Sequence, residues 1–342
     1  MRVAFVTGPV AAGRCGVGDY TRLLAAAMER RGIQTAIIES PGPAAFRAFR
    51  LCEEARAFQP DVMHLQYPTA GFGKGLTAQF FSLVKRFVLT LHEVEGTHLL
   101  RRLSIYPLWG RALHVVFTCD SNRRYSLRWA PWLRGRSSVI PLSSNIPVRK
   151  TRRGEHTRAE VIYFGLVRPG KGIEDVLEFA RLASAEQLPI SVRIIGGSPS
   201  GLAWYLTKLQ EASASLTIAW ELNLSAEAVA ERLASATMAY MPFPDGASER
   251  HASILAALTN GLPLVTTRGG FTPPGLEQAT WFCATPAEAV AAAKDLLEKP
   301  SLVEALSKRA LEYARRFSWE SIAESHVQLY ERIMAANLDR RQ

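Results

Sequence analysis

The chain has 342 residues, nearly half of them hydrophobic and about a fifth charged, and a formal net charge of +10. That length suits two domains of roughly 100–200 residues each rather than one, and the composition is that of a globular protein with full cores, not a disordered one. No apolar run approaches the roughly 20 residues that span a bilayer, and four scattered cysteines with no C-x-x-C pair argue against a zinc site and for reduced thiols in a cytoplasmic protein.

Met1 leads straight into an apolar run, so no signal peptide is expected. Short apolar runs predict buried parallel strands at Val3–Thr7, Thr35–Ile38, Val62–Gln66, Val88–His92, Val115–Cys119 and Val139–Leu142. Amphipathic stretches lie between them; the first, Tyr20–Arg31, stops at Gly32. From Lys85 to Lys150 there are twelve basic residues against three acids, so almost all the excess charge sits there. Such a patch points to an anionic partner: lipid head groups, a phosphorylated acceptor or nucleic acid. The polar, highly charged stretch Arg149–Arg158 reads as a linker.

A second alternating series predicts strands at Val161–Phe164, Val192–Ile195, Thr217–Trp220, Ala239–Pro242, Leu264–Thr267 and Thr280–Cys283. Helices are predicted at Glu174–Ala185, Ala226–Ser235 and Ser253–Leu258. Thr285, Pro286 and Glu288 supply a cap, a first-turn proline and an N3 glutamate, which mark a further helix start. From Ser301 to about Leu338 the pattern is helical throughout. Two strand–helix series predict an α/β protein of two doubly wound domains, with ligands beyond the carboxyl ends of the strands.

Four loops at such ends carry candidate chemistry. Gly13-Arg14-Cys15-Gly16-Val17-Gly18-Asp19 lets backbone amides and a helix N-terminus approach an anion. The strand-end histidines His64 and His92 come next; His64 precedes a glycine-rich run with Gly71, Gly73 and Lys74, and His92 has Glu93 beside it. In Gly165-Leu166-Val167-Arg168-Pro169-Gly170-Lys171-Gly172, two cations flanked by glycines at a helix start suit a diphosphate whose charge grows as it departs. Finally Gly246, Ser248, Glu249 and Ser253 place small residues and a carboxylate before a helix.

With these loops in order, the chain resembles the family-4 retaining glycosyltransferases over nearly its whole length. The resemblance rests on Gly16-Val17-Gly18-Asp19-Tyr20, the Arg168/Lys171 loop, Gly261-Leu262-Pro263 and Phe317-Ser318-Trp319-Glu320. It implies two facing Rossmann-like domains, an acceptor domain over residues 1–150 and a nucleotide-sugar domain over 159–317. Residues 318–342 would form a helix crossing back to the first domain. It further implies that Arg168 and Lys171 hold the donor diphosphate, that the Gly16 amide touches the distal phosphate, and that His92 contacts the donor sugar. Gly196-Gly197 and Glu221 would border the base. The two family glutamates align with Ser248 and Ala256, so Glu249 is expected to substitute for the first and nothing for the second. The usual arginine after the phosphate-loop glycine is Leu166 here. These departures indicate a divergent subfamily.

There is no D-x-D motif, so neither metal nor cofactor is expected, and fixed cations would do the electrostatic work. The resemblance implies retention, with the departing phosphate taking the acceptor's proton. A nucleotide-sugar epimerase or hydrolase on the same fold is the alternative enzyme reading, although His92, Glu93 and Glu249 make a thin acid–base set for it. A nucleic-acid-binding protein is the alternative from another class, but no recognition motif supports it. Arginines interleaved with Tyr106, Trp109, Trp129 and Trp132 over residues 101–136 suggest instead docking on an anionic inner leaflet, with a lipid-linked or glycan acceptor.

Overall fold

The computed structural model describes all residues except 9–15, 41–46, 70–71, 73–74, 93, 95–98, 150–157, 250 and 340–342. The first sheet is built from β1 (Arg2–Thr7), α1 (Gly16–Glu29), β2 (Gln34–Glu39), α2 (Arg47–Phe58), β3 (Val62–Tyr67), α3 (Thr77–Val84), β4 (Val88–Leu91), α4 (Leu99–Arg111), β5 (His114–Phe117), α5 (Asp120–Trp129) and β6 (Ser137–Val139). The second uses β7 (Ala159–Phe164), α6 (Ile173–Ala185), β8 (Ile190–Gly196), α7 (Ala203–Ala212), β9 (Ile218–Leu222), α8 (Ala226–Ser235), β10 (Met238–Met241), α9 (Ala252–Thr259), β11 (Leu264–Thr266), α10 (Leu276–Ala279), β12 (Trp281–Phe282), α11 (Pro286–Glu298) and α12 (Pro300–Ala314). A final helix, α13 (Trp319–Asp339), follows. The chain divides into two compact units: Met1–Ser143 with Trp319–Gln342, and Ser144–Ser318.

Both sheets have six strands, every pairing between them parallel. The first runs β2-β1-β3-β4-β5-β6 and the second β12-β11-β10-β7-β8-β9. Strand order therefore reverses between β1 and β3 in one sheet and between β7 and β10 in the other, the switch points where doubly wound sheets bind ligands.

Alternation of side chains across each strand divides each core into two layers. In the first unit Val3, Phe5, Val62, Val88 and Val116 pack under α1 and α13, while Val6, Leu65, Leu89, Leu91 and Phe117 pack under α2–α5. In the second, Val161, Tyr163, Ile194 and Tyr240 face α6 and α11, and Ile162, Ile195, Met241 and Leu264 face α8 and α9. Burial on both faces explains why the strands read as continuous apolar runs.

Three sequence expectations need adjustment or note. The sixth strand is Ser137–Val139, earlier than Val139–Leu142, because Ile140 N–H makes a last bond to Phe117 O at 3.0 Å and Pro141 has no N–H to continue. The helical stretch from Ser301 breaks in two: Phe317 is buried beside Tyr313, Ser318 is extended, and α13 starts afresh. Of the expected linker Arg149–Arg158, residues 150–157 lie outside the described residues. The start of α11 forms as read, Thr285 Oγ1 accepting from Glu288 N–H at 3.2 Å.

Candidate functional site

At the switch point of the second sheet, the loop between β7 and α6 is clamped from two sides. Gly172 has φ of +72°, and a Cβ there would lie 1.6 Å from Pro242 O at the end of β10. No other residue allows both that backbone and that approach. On the other side, Gly165 N–H donates to Ile195 O at 3.0 Å and Val167 N–H to Gly197 O at 2.9 Å. Gly196 presses so closely that an added Cβ would meet Gly165 O at 1.6 Å. The buried Tyr163 hydroxyl donates to Lys171 O at 3.3 Å.

This frame presents the two predicted cations. Arg168 is exposed, with no ion-pair partner among the described residues. Lys171 Nζ lies 5.5 Å from the centroid of the Phe243 ring, and Phe243 stacks on His251 at 3.8 Å and 5°. The cation loop and the loop after β10 are thus joined by side chains as well as by backbone. His251 caps α9, and its Nδ1 accepts from Ser248 N–H at 3.2 Å, so the imidazole proton sits on Nε2. Ser248 Oγ lies 3.3 Å from the same nitrogen. Gly246 and Ser248 are buried in this loop, and Ser253 is half-buried in the first turn of α9.

The two predicted carboxylates are engaged within the unit. Glu249 approaches Arg316 at 3.7 Å, and that guanidinium lies over Tyr313 and Phe317. Glu221 bonds Arg193 through Oε1 and Arg232 through Oε2, the latter at 2.9 Å, while Arg193 also holds Glu160. Three strands and α8 are laced together by this network, with Glu221 as its centre. Ala256, at the second family position, is fully buried.

At the first sheet's switch point, Gly13, Arg14 and Cys15 lie outside the described residues, as do Gly71, Gly73, Lys74 and Glu93. Gly16 opens α1 at an exposed position, and Gly18 is buried in its first turn. Among the described residues nothing lies within 4 Å of a Cβ built on Gly16. His92 follows β4: its N–H donates to Tyr67 O at 2.9 Å, Nε2 lies 2.8 Å from Gln66 Oε1, and the Tyr20 ring meets it edge-on at 5.0 Å. Burial, helped by His326, pushes its imidazole down to about 3. His64 is sealed in the core, Nδ1 on the Tyr330 hydroxyl and Nε2 on Thr90 Oγ1, and its role is to seat α13 on β3.

Part of the basic segment is structural. Arg111 donates to the Ser82 and Leu83 carbonyls, Arg136 to Ala112 O and Trp109 O, and Arg102 to the Tyr125 hydroxyl. Trp109 is core rather than surface, and Tyr106 packs on it. Trp129 and Trp132 are exposed, as are Arg128 and Arg134. Among the described residues, no helix is long and apolar enough to cross a membrane.

Sequence spacing did not single out His251 or Gln66. Each contacts a predicted site residue across strands or loops, a relation that sequence spacing does not carry.

Two doubly wound domains joined in one chain define a protein of the glycosyltransferase B-type fold. No protein-family model matches the sequence, and no curated protein matches it. Solved structures do share the fold. Alr3699/HepE from Anabaena, in complex with UDP and glucose, superposes with a TM-score of 0.72 at 14% identity, covering 97% of this chain and 99% of that one. Sucrose-phosphate synthase from Thermosynechococcus elongatus gives 0.70 at 16% identity, over 98% and 100% of the two chains. A glycosyltransferase from Rickettsia africae ESF-5 gives 0.69 at 12%, over 97% and 98%.

Proposed function

We propose that the chain is a retaining glycosyltransferase of the family-4 type, moving a sugar from a nucleoside-diphosphate sugar to a glycan or lipid-linked acceptor. The observation that carries this reading is the Arg168–Lys171 loop, fixed by the Gly172–Pro242 approach at the switch point of the second sheet. Two positive side chains and the N-terminus of α6 suit a pyrophosphate, whose charge rises as the glycosidic bond breaks. His251 and Ser248 at the start of α9 border the same loop. Fixed donors of this kind need no metal, and the departing phosphate would take the acceptor's proton on the donor's own face. The UDP and glucose of the HepE complex favour a uridine diphosphate sugar as donor.

The first unit would bind the acceptor. Trp129, Trp132, Arg128 and Arg134 supply an exposed aromatic and cationic edge suited to an anionic leaflet, which would bring a lipid-linked acceptor to the enzyme.

A thermal-shift screen of UDP, GDP, ADP and CDP tests the donor site. A ligand at a hundred times its Kd stabilises the fold by about 2.7 kcal/mol. UDP is expected to raise Tm in the wild type and not in an Arg168→Ala/Lys171→Ala variant. No shift with any diphosphate would refute the reading, and free sugar without acceptor product would convert it to a hydrolase.

A further inference from the structure

We infer that a cavity at the amino ends of β3, β4 and β5 binds a phosphate monoester carrying a short alkyl body. Nothing in this site depends on what the second unit binds.

The cavity forms where three chain entries into the first sheet meet the later turns of α13. After α2, Gln59 takes a left-handed φ of +50°, and Pro60 and Asp61 lead into β3. Asp61 is pinned to β1, its N–H donating to Arg2 O at 2.9 Å and its Oδ2 accepting from Arg2 N–H at 2.7 Å. Lys85 and Arg86 lead from α3 into β4. Leu113 leads into β5, its N–H donating to Phe87 O at 2.8 Å. Ile333 and Met334 of α13 complete the wall, and the space between these segments is about 440 Å³. Small-ligand pockets run to roughly 300–1,000 Å³.

The wall is divided by chemistry. Val62, Met63, Leu113, Ile333 and Met334 give apolar surface, while Arg56, Lys85 and Arg86 bring positive charge. None of these three cations has an ion-pair partner among the described residues. Lys85 is half-buried, so its charge is only partly solvated. Burial pushes the Cys52 thiol up, and Lys85 and Arg56 both pull it back, which sets the two charges within electrostatic reach of one buried sulfur. Against them stands one acid, Asp61, already bonded to β1. Such a receptor suits a phosphate, which Arg and Lys donors bind strongly. Free phosphate would leave the apolar wall bare, and a sugar phosphate would set hydroxyls against methionine and isoleucine without partners. An alkyl body covers that wall, each buried methylene adding roughly fourfold in affinity. The six residues of β3 span about 20 Å at roughly 3.3 Å each. The ligand therefore sits away from the carboxyl edge, where it can fasten α13 to the sheet but take no part in transfer.

Methionine-methyl NMR on the full chain reads the site locally: Met63 and Met334 line it, whereas Met238 and Met241 lie in the core of the second unit. Met334→Leu identifies its signal. In titrations with methyl, butyl and hexyl phosphate, Met63 and Met334 should shift and Met238 and Met241 should not. Affinity should rise roughly fourfold per added methylene until the wall is covered. Arg56→Gln/Lys85→Gln should weaken hexyl phosphate about a hundredfold with Tm little changed. Arg168→Ala/Lys171→Ala should leave its binding as in the wild type, even if the transferase reading fails. Vesicles containing phosphatidic acid distinguish the sources: displacement of hexyl phosphate assigns the site to a lipid head group, and persistence of its shifts to a soluble ester. No shift at Met63 and Met334, equal affinity for methyl and hexyl phosphate, or undiminished binding by Arg56→Gln/Lys85→Gln overturns the proposal.

Discussion

At the carboxyl ends of β3 and β4 in the first sheet, the described polar side chains are uncharged and mostly sealed: Gln66 and His64 fully buried, and His92 half-buried against Tyr20. At the same edge of the second sheet stand Arg168, Lys171, a helix N-terminus and a stacked histidine, partly exposed and positively charged. The strand topology of the two edges is alike, yet their chemistry is opposite. A neutral, preorganised edge discriminates hydroxyls by hydrogen-bond direction. A charged edge on a rigid backbone stabilises a leaving anion without discriminating much else. In the proposed reading, division of labour between two similar folds comes from a handful of side chains at strand ends.

The comparison breaks most visibly if the charged edge is neutralised. Arg168→Ala/Lys171→Ala should lower kcat/KM by about a thousandfold or more, since one preorganised electrostatic donor is worth roughly 10²–10³; initial rates with a labelled donor check this. The frame behind the charges comes next. Gly172→Ala forces a side chain to within 1.6 Å of Pro242 O at φ of +72°. It should cost about 3 kcal/mol or more of stability and weaken diphosphate binding even where the fold survives. Urea unfolding with and without UDP separates the two effects.

The sealed edge is probed by acid. His326 is held down to about 4 and His92 to about 3, both by burial first. An unfolded chain protonates these rings near 6.5 and the folded one does not. Stability is therefore whole above about pH 7 and falls as pH drops, by about 1.4 kcal/mol per unit for each ring. Urea midpoints from pH 7 to 5 measure the slope, and His326→Leu should make it shallower. Smallest of all, Trp129→Ser/Trp132→Ser should leave Tm nearly unchanged and lower recovery with anionic liposomes several-fold. Equal flotation with neutral and anionic lipid would remove the membrane from the account.

Much of this architecture is written plainly in the chain. Apolar runs such as Val62–Gln66 and Val192–Ile195 locate strands because both faces of a parallel sheet are buried. Glycines 165 and 172 announce the cation loop because backbone must approach backbone there, whereas the part played by Gly196 in that loop shows only in the structure. What escaped reading depends on contacts between distant residues. Trp109 looks like an interfacial aromatic until α4 turns it inward, and Arg111 and Arg136 look like free charge until they are seen on main-chain carbonyls. Glu221 is likewise held by two arginines that no spacing rule connects to it. The split at Ser318 is invisible to the helical period, which both sides share, and was expected only through the family resemblance.

Because α13 lies over β1 and β3 with Ile322, Ala323 and Tyr330 in the core, the unit begun by residues 1–143 is complete only once Trp319–Asp339 has been made. During synthesis the middle portion, Ser144–Ser318, has all its strands and helices before the amino-terminal sheet has its lid. Until then His64 lacks Tyr330, and Val3 and Phe5 lack part of their cover. A single cut at residue 143 or 318 would leave no intact amino-terminal half to purify, whereas a permuted chain beginning at Trp319 would restore the order of assembly.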